Sequence, residues 1–160
     1  MTTPILSKTL RITVSRLTED GETFRGLLAP SILELSQDEM IRDLEPVSYD
    51  LRCALLSEGA LVQGTAQVRF CGTCDRCLGA VPTEVAADVS HFIRELEEEL
   101  DLLEKLREDL LIAFPSKSLC DNDCKGLCGT CGVNLNQKAC DCIPIVDTAG
   151  AWSGLDGLDL

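Results

Sequence analysis

The chain has 160 residues, room for one domain with a core of its own or for a core carrying a metal-stapled appendage. It carries 27 acidic against 14 basic residues, a formal net charge of −13, and no segment supplies the basic face that phosphate binding by ion pairing requires. Four Phe, one Tyr and one Trp imply an aliphatic core and leave no aromatic stripe on which single-stranded nucleic acid could stack.

In chain order, the opening residues Met1 to Lys8 have no apolar region of the kind a secretion signal needs. No stretch approaches the roughly 18–20 apolar residues of a membrane span. The expectation is a cytoplasmic chain with reduced thiols. Residues 10–14 alternate apolar and polar, which predicts an opening strand, and after the turn at Asp20-Gly21 residues 24–28 form a second. Ser36 and Glu39 have capping-box spacing ahead of Met40, Ile41 and Leu44, which predicts a helix over 37–44, stopped before Pro46. Val47, Tyr49, Leu51, Cys53 and Leu55 then alternate with polar or small residues. A three-residue turn, Ser57-Glu58-Gly59, leads to a second alternating run from Ala60 to Phe70, so the pair reads as an antiparallel hairpin. Cys53, alone on the apolar face, reads as a small core residue.

A further strand over 83–93 carries Val85, Ala87, Val89, His91 and Ile93 on one face, which makes His91, the only histidine, a strand residue in this reading and not a ligand. From 95 to 113 the period becomes helical, with Leu96, Leu100, Leu103, Leu106 and Leu110 on one stripe and Glu97-Glu98-Glu99 on a solvated face. Residues 148–160, rich in Gly and Asp, are expected to form a mobile tail that Trp152 could dock. The resulting expectation is an α+β fold: an antiparallel sheet of about four to five strands, a few helices, and a C-terminal cysteine-rich zinc-binding segment. Its divisions are a strand-rich core over 1–115, the cysteine-rich segment over 116–147, and the tail.

Eight of the ten cysteines form four close pairs: Cys74 and Cys77, Cys120 and Cys124, Cys128 and Cys131, Cys140 and Cys142. Zinc takes four thiolates in a tetrahedron, so two short-range pairs fill one structural site. Cys128, Cys131, Cys140 and Cys142 are the local set, because loop closure between them costs little. In a two-ion arrangement Cys74 and Cys77 join Cys120 and Cys124 and tether the cysteine-rich segment to the sheet. In the one-ion alternative Cys74 and Cys77 share a single site with two later cysteines. Cys71 echoes the later knuckle and leaves three candidates for two places in the first cluster. Gly129 and Gly132 give the backbone freedom to turn its N–H groups toward sulfur. An iron–sulfur or dithiol redox role is the competing use of the pairs. A thioredoxin-like dithiol fits poorly, since Cys131 runs into turn-forming residues and not into a helix. With one histidine, no Gly-rich phosphate loop and all-Cys pairs, no catalytic set emerges, and the chain reads as a non-enzyme with no small-molecule substrate.

Cys74-Asp75-Arg76-Cys77-Leu78 and the run Cys124-Lys125-Gly126-Leu127-Cys128-Gly129-Thr130-Cys131-Gly132-Val133-Asn134-Leu135-Asn136 resemble the signatures of the YceD family. Gly129 stands where that family often has Pro. The resemblance implies a bacterial or plastid protein needed for accumulation of 23S ribosomal RNA, working with ribosomal proteins or pre-ribosomal particles of the large subunit, or with the RNA itself. An acidic surface suits basic clients of that kind. The alternative left open by the residues is a zinc-stabilised interaction module with a non-ribosomal client.

Overall fold

The computed structural model describes residues 6–35, 38 and 40–143. The proposed capping pair Ser36 and Glu39, the tail over 148–160 and Trp152 lie outside the described residues. Strands β1 (Arg11–Thr13), β2 (Glu22–Leu28), β3 (Ile41–Arg42), β4 (Val47–Leu56), β5 (Gly59–Thr73), β6 (Ala80–Ile93) and β7 (Glu99–Asp101) precede helix α1 (Leu103–Ala113). Two short 3-10 turns, Val14–Arg16 and Pro30–Leu33, complete the regular structure among the described residues.

The architecture is α+β, built on a five-stranded antiparallel sheet. β4 lies between β2 and β5, and β6 takes the other edge of β5. Gly72 is opposite both Ile41 of β3 and Val81 of β6, so β3 continues the β4 side of the sheet beyond the end of β4. The period-two pattern decides which face is buried. Val47, Leu51 and Cys53 of β4, Ala60, Val62, Ala66, Val68 and Phe70 of β5, and Val85, Ala87 and Val89 of β6 share one aliphatic core. Helix α1 closes this face with Leu106 and Leu110, which join Ile32 and Leu33 of the second 3-10 turn. Past the helix, Phe114 stacks on Phe70 with ring centroids 5.0 Å apart.

His91 sits on β6 as expected, and its Nε2 lies 2.7 Å from Asp109 Oδ2 on α1. Both side chains are largely shielded, so the bond ties helix to sheet. Removing either partner alone should cost about 1–2 kcal/mol, and a double-mutant cycle with His91→Ala and Asp109→Ala should recover a coupling of that sign by urea unfolding. Additive losses would show that the bond contributes nothing.

Three local expectations are corrected. The helix over 95–113 starts only at Leu103, because residues 99–101 form β7 against β1, with Ile12 opposite Leu100 and both buried. Glu95 is three and four residues from Glu98 and Glu99, a like-charge spacing that disfavours a helix. The strand instead brings Glu99 and Asp101 to Arg11 at 3.9 and 3.3 Å. Asp101 then accepts the backbone N–H of Leu103 at 3.1 Å, starting the helix there. Over 37–44, Met40 is in a turn and Ile41 is in a strand. Asp38 accepts the N–H of Met40 at 2.8 Å, a local bond that competes with helix formation. The hairpin turn has two residues, not three, since Leu56 is already opposite Gly59.

Candidate metal centres

The first site begins where the sheet ends. β5 and β6 are joined by residues 74–79, a loop closed by Cys74 N–H to the Gly79 carbonyl at 2.7 Å and Leu78 N–H to the Cys74 carbonyl at 2.9 Å. Leu78 takes a left-handed φ of 57° to complete the turn. Both thiols of the pair thereby face the chain that returns from α1. Two backbone-level bonds hold that chain: Asp75 N–H donates to the Ser118 carbonyl and Ser118 N–H donates to Asp75 Oδ2, each at 2.8 Å. Arg76 then donates from Nη1 to the carbonyls of Asn122 and Cys124 at 3.1 and 2.9 Å.

The result is a quartet of Cys74, Cys77, Cys120 and Cys124 whose sulfurs all lie within 4.8 Å of one another. Cys74 and Cys124 are 3.9 Å apart, Cys77 and Cys120 3.5 Å. A tetrahedron with metal–sulfur bonds of about 2.3 Å has edges of about 3.8 Å. A disulfide needs about 2.0 Å, and all ten cysteines are free. Asn136 donates from Nδ2 to Cys124 Sγ at 3.1 Å while its Oδ1 accepts the N–H of Lys125 at 2.7 Å. Val81, Leu119 and Leu127 pack around the buried members.

The second quartet, Cys128, Cys131, Cys140 and Cys142, is equally close-set. Its knuckle is fixed by Gly132 N–H to the Cys128 carbonyl and Cys128 N–H to the Val133 carbonyl, both at 2.8 Å. Gly132 has a φ of 71°, a conformation that glycine adopts without strain. A bridge between Leu127 and Asn134 joins the two quartets through a short antiparallel turn.

Electrostatics separates the thiols within each set. Backbone N–H groups of Cys120 and Cys77 pull Cys74 down to about 6, and those of Cys131 and Thr130 do the same for Cys128. Cys120 is pushed up to about 12 by the neighbouring sulfurs of Cys124 and Cys77, and Cys142 to about 12 by Cys131 and by burial. Four thiolates at this spacing repel one another, and a dication is the group that lets all four ionise. The donor set fits that role, and each quartet can hold a metal ion.

Cys53 and Cys71 stand apart from both sets. Cys53 is fully buried in the sheet core, where burial pushes its thiol up to about 11. Cys71, half-buried on β5, points its sulfur toward the Gly72 carbonyl at 3.8 Å. The sequence shows Asp75, Arg76 and Asn136 only as members of the family-like signatures, with no role of their own. Asp75 and Arg76 lie inside a cysteine pair, where polar side chains orient thiolates, whereas Asn136 lies between two pairs and its role is set by the fold.

A family model described as large ribosomal RNA subunit accumulation protein YceD matches residues 88–159, a span that includes the cysteines from Cys120 to Cys142. Over these residues the chain is similar to the YceD family. Among curated relatives, an uncharacterized protein of Mycobacterium tuberculosis is 31% identical over 109 residues, covering 58% of this chain and 53% of that protein. The large ribosomal RNA subunit accumulation protein YCED homolog 1, chloroplastic, of Arabidopsis thaliana is 38% identical over 55 residues, 34% of this chain and 17% of that one. The homolog of the same name in Zea mays is 37% identical over 49 residues, covering 30% and 17%. The chain thus spans about half the length of the mycobacterial relatives and less of the plant ones. No solved structure matches it. Among the described residues, no helix is long and apolar enough to cross a membrane.

Proposed function

We propose that this protein is a non-catalytic biogenesis factor of the large ribosomal subunit, required for synthesis, processing or accumulation of 23S RNA in the cytoplasm. Each quartet binds one structural Zn2+, with Cys74, Cys77, Cys120 and Cys124 as one ligand set and Cys128, Cys131, Cys140 and Cys142 as the other. The family match across the cysteine-rich segment carries this reading. The names of the plant homologues agree with it.

Physical features support the non-catalytic part. All-Cys zinc sites are closed and leave no position for a substrate. The single histidine is engaged with Asp109 between sheet and helix. A net charge of −13 favours basic clients, which makes ribosomal proteins or pre-ribosomal particles the partners of first choice over naked RNA. The strand-rich core through residue 115 serves as the platform, and the segment that follows is the metal-stapled element.

Depletion of the protein should lower 23S relative to 16S RNA and reduce free large subunits in sucrose gradients, with restoration by the wild-type chain and not by Cys74→Ser. Unchanged RNA and subunit profiles would end the ribosomal reading. Recovery of non-ribosomal clients alone in a crosslinked pull-down would favour an interaction module of another pathway.

A further inference from the structure

The two quartets have the same donor chemistry in unlike surroundings. In the first, Cys74, Cys77 and Cys124 are 0%, 8% and 4% exposed, and Cys120 alone reaches solvent. Its two halves come from distant parts of the chain, clamped by Arg76 and by the reciprocal Asp75–Ser118 bonds. In the second, no cysteine is buried, Cys131 is exposed, and among the described residues no buried apolar cluster surrounds the sulfurs. All four come from one stretch of 128–142, whose second half, beyond the turn bonds of Gln137 and Lys138 to the Asn134 carbonyl, has no regular structure.

Metal exchange needs an incoming ligand to reach the ion and a protein thiolate to swing away. In the first site Val81, Leu119 and Leu127 pack against Cys74, Cys77 and Cys124, which leaves Cys120 as the exposed sulfur, and release of Cys124 must also break its bond from Asn136. In the second, Cys140 and Cys142 belong to no buried apolar cluster among the described residues. Apolar surroundings and outer hydrogen bonds of this kind govern solvent access and affinity at metal sites.

We propose that the two sites are functionally unequal: Cys74, Cys77, Cys120 and Cys124 hold a permanent zinc, whereas Cys128, Cys131, Cys140 and Cys142 form an exchangeable zinc site whose occupancy follows the free zinc supply. The outer segment is then a zinc-responsive element on a fixed platform. This rests on the zinc assignment made above and adds an order of release that the assignment does not require.

The test is zinc release from the zinc-loaded full chain into excess 4-(2-pyridylazo)resorcinol, followed by absorbance. Two phases of equal size are expected, with rates at least about tenfold apart, the scale that outer-sphere support contributes at metal sites. Cys131→Ser should abolish the fast phase and keep the slow one. Asn136→Ala, which removes no ligand, should speed the slow phase and leave the fast phase unchanged. Release of both ions in one phase, or loss of the fast phase in Cys74→Ser with its retention in Cys131→Ser, would overturn the order while leaving zinc binding intact. A chain that binds no zinc would overturn the assignment and this inference together.

Discussion

With zinc in both quartets as proposed, exhaustive chelation is expected to unfold residues 119–143 and leave the sheet folded. The reason is the distribution of buried groups. Between 119 and 143 only Cys124 and Gly126 are buried, and the apolar residues Leu119, Leu127, Val133 and Leu135 remain half-exposed. So small an apolar content cannot hold a 25-residue segment against its conformational entropy. Structural zinc in small peptides is worth about 10–16 kcal/mol of apparent folding free energy at neutral pH, which is ample. The sheet core, in contrast, is a separate cluster that includes no member of either quartet. Amide exchange with and without chelator reads the result directly: protection over 119–143 collapses, while β4, β5 and β6 keep theirs. Loss of protection throughout would show a single cooperative unit clamped by the metal. Unchanged protection would show the metal to be dispensable.

Gly64→Ala should be among the most damaging single substitutions in the core, at about 3 kcal/mol, the upper end of what overpacking costs. Gly64 lies in the middle of β5, opposite Leu51 of β4 and Val89 of β6. A Cβ there would stand 2.0 Å from the Asp50 carbonyl oxygen and 2.9 Å from Leu51 Cα, and both are backbone atoms of the neighbouring strand. Relief requires β4 and β5 to separate where the sheet is widest. The backbone φ of 155° is a second obstacle for any side chain. Gly129 makes the control, because nothing lies within 4 Å of its added Cβ, so Gly129→Ala should be nearly neutral. Urea midpoints of the two variants check both statements. An unshifted midpoint for Gly64→Ala would mean that the β4–β5 register is wrong.

The legible parts of this chain are those where one signal dominates. The alternation from Val47 to Phe70 fixed a hairpin and its buried face, and Cys53 followed as a core residue because it shares the parity of Leu51. Cysteine spacing narrowed the metal question to four pairs. It could not say how the pairs combine, since that depends on whether the chain after α1 returns to the β5–β6 loop. Asp75 and Ser118 make that return, through bonds that no spacing rule encodes. The misreadings arose where two periods overlapped. Leu96, Leu100 and Leu103 suit a helix, yet Leu100 and Leu102 are the residues that become buried, and the decisive factor was pairing with a strand nearly ninety positions earlier, as Arg11 opposite Asp101 shows.

Under the proposed function the two quartets are two separate zinc sites. Zinc content per chain, measured by elemental analysis on the purified wild type, Cys74→Ser and Cys131→Ser, tests it most directly. One ion for each quartet gives two in the wild type and one in each variant. A wild type with one ion that both variants lose would mean a single shared site, and a wild type with none would contradict the account altogether.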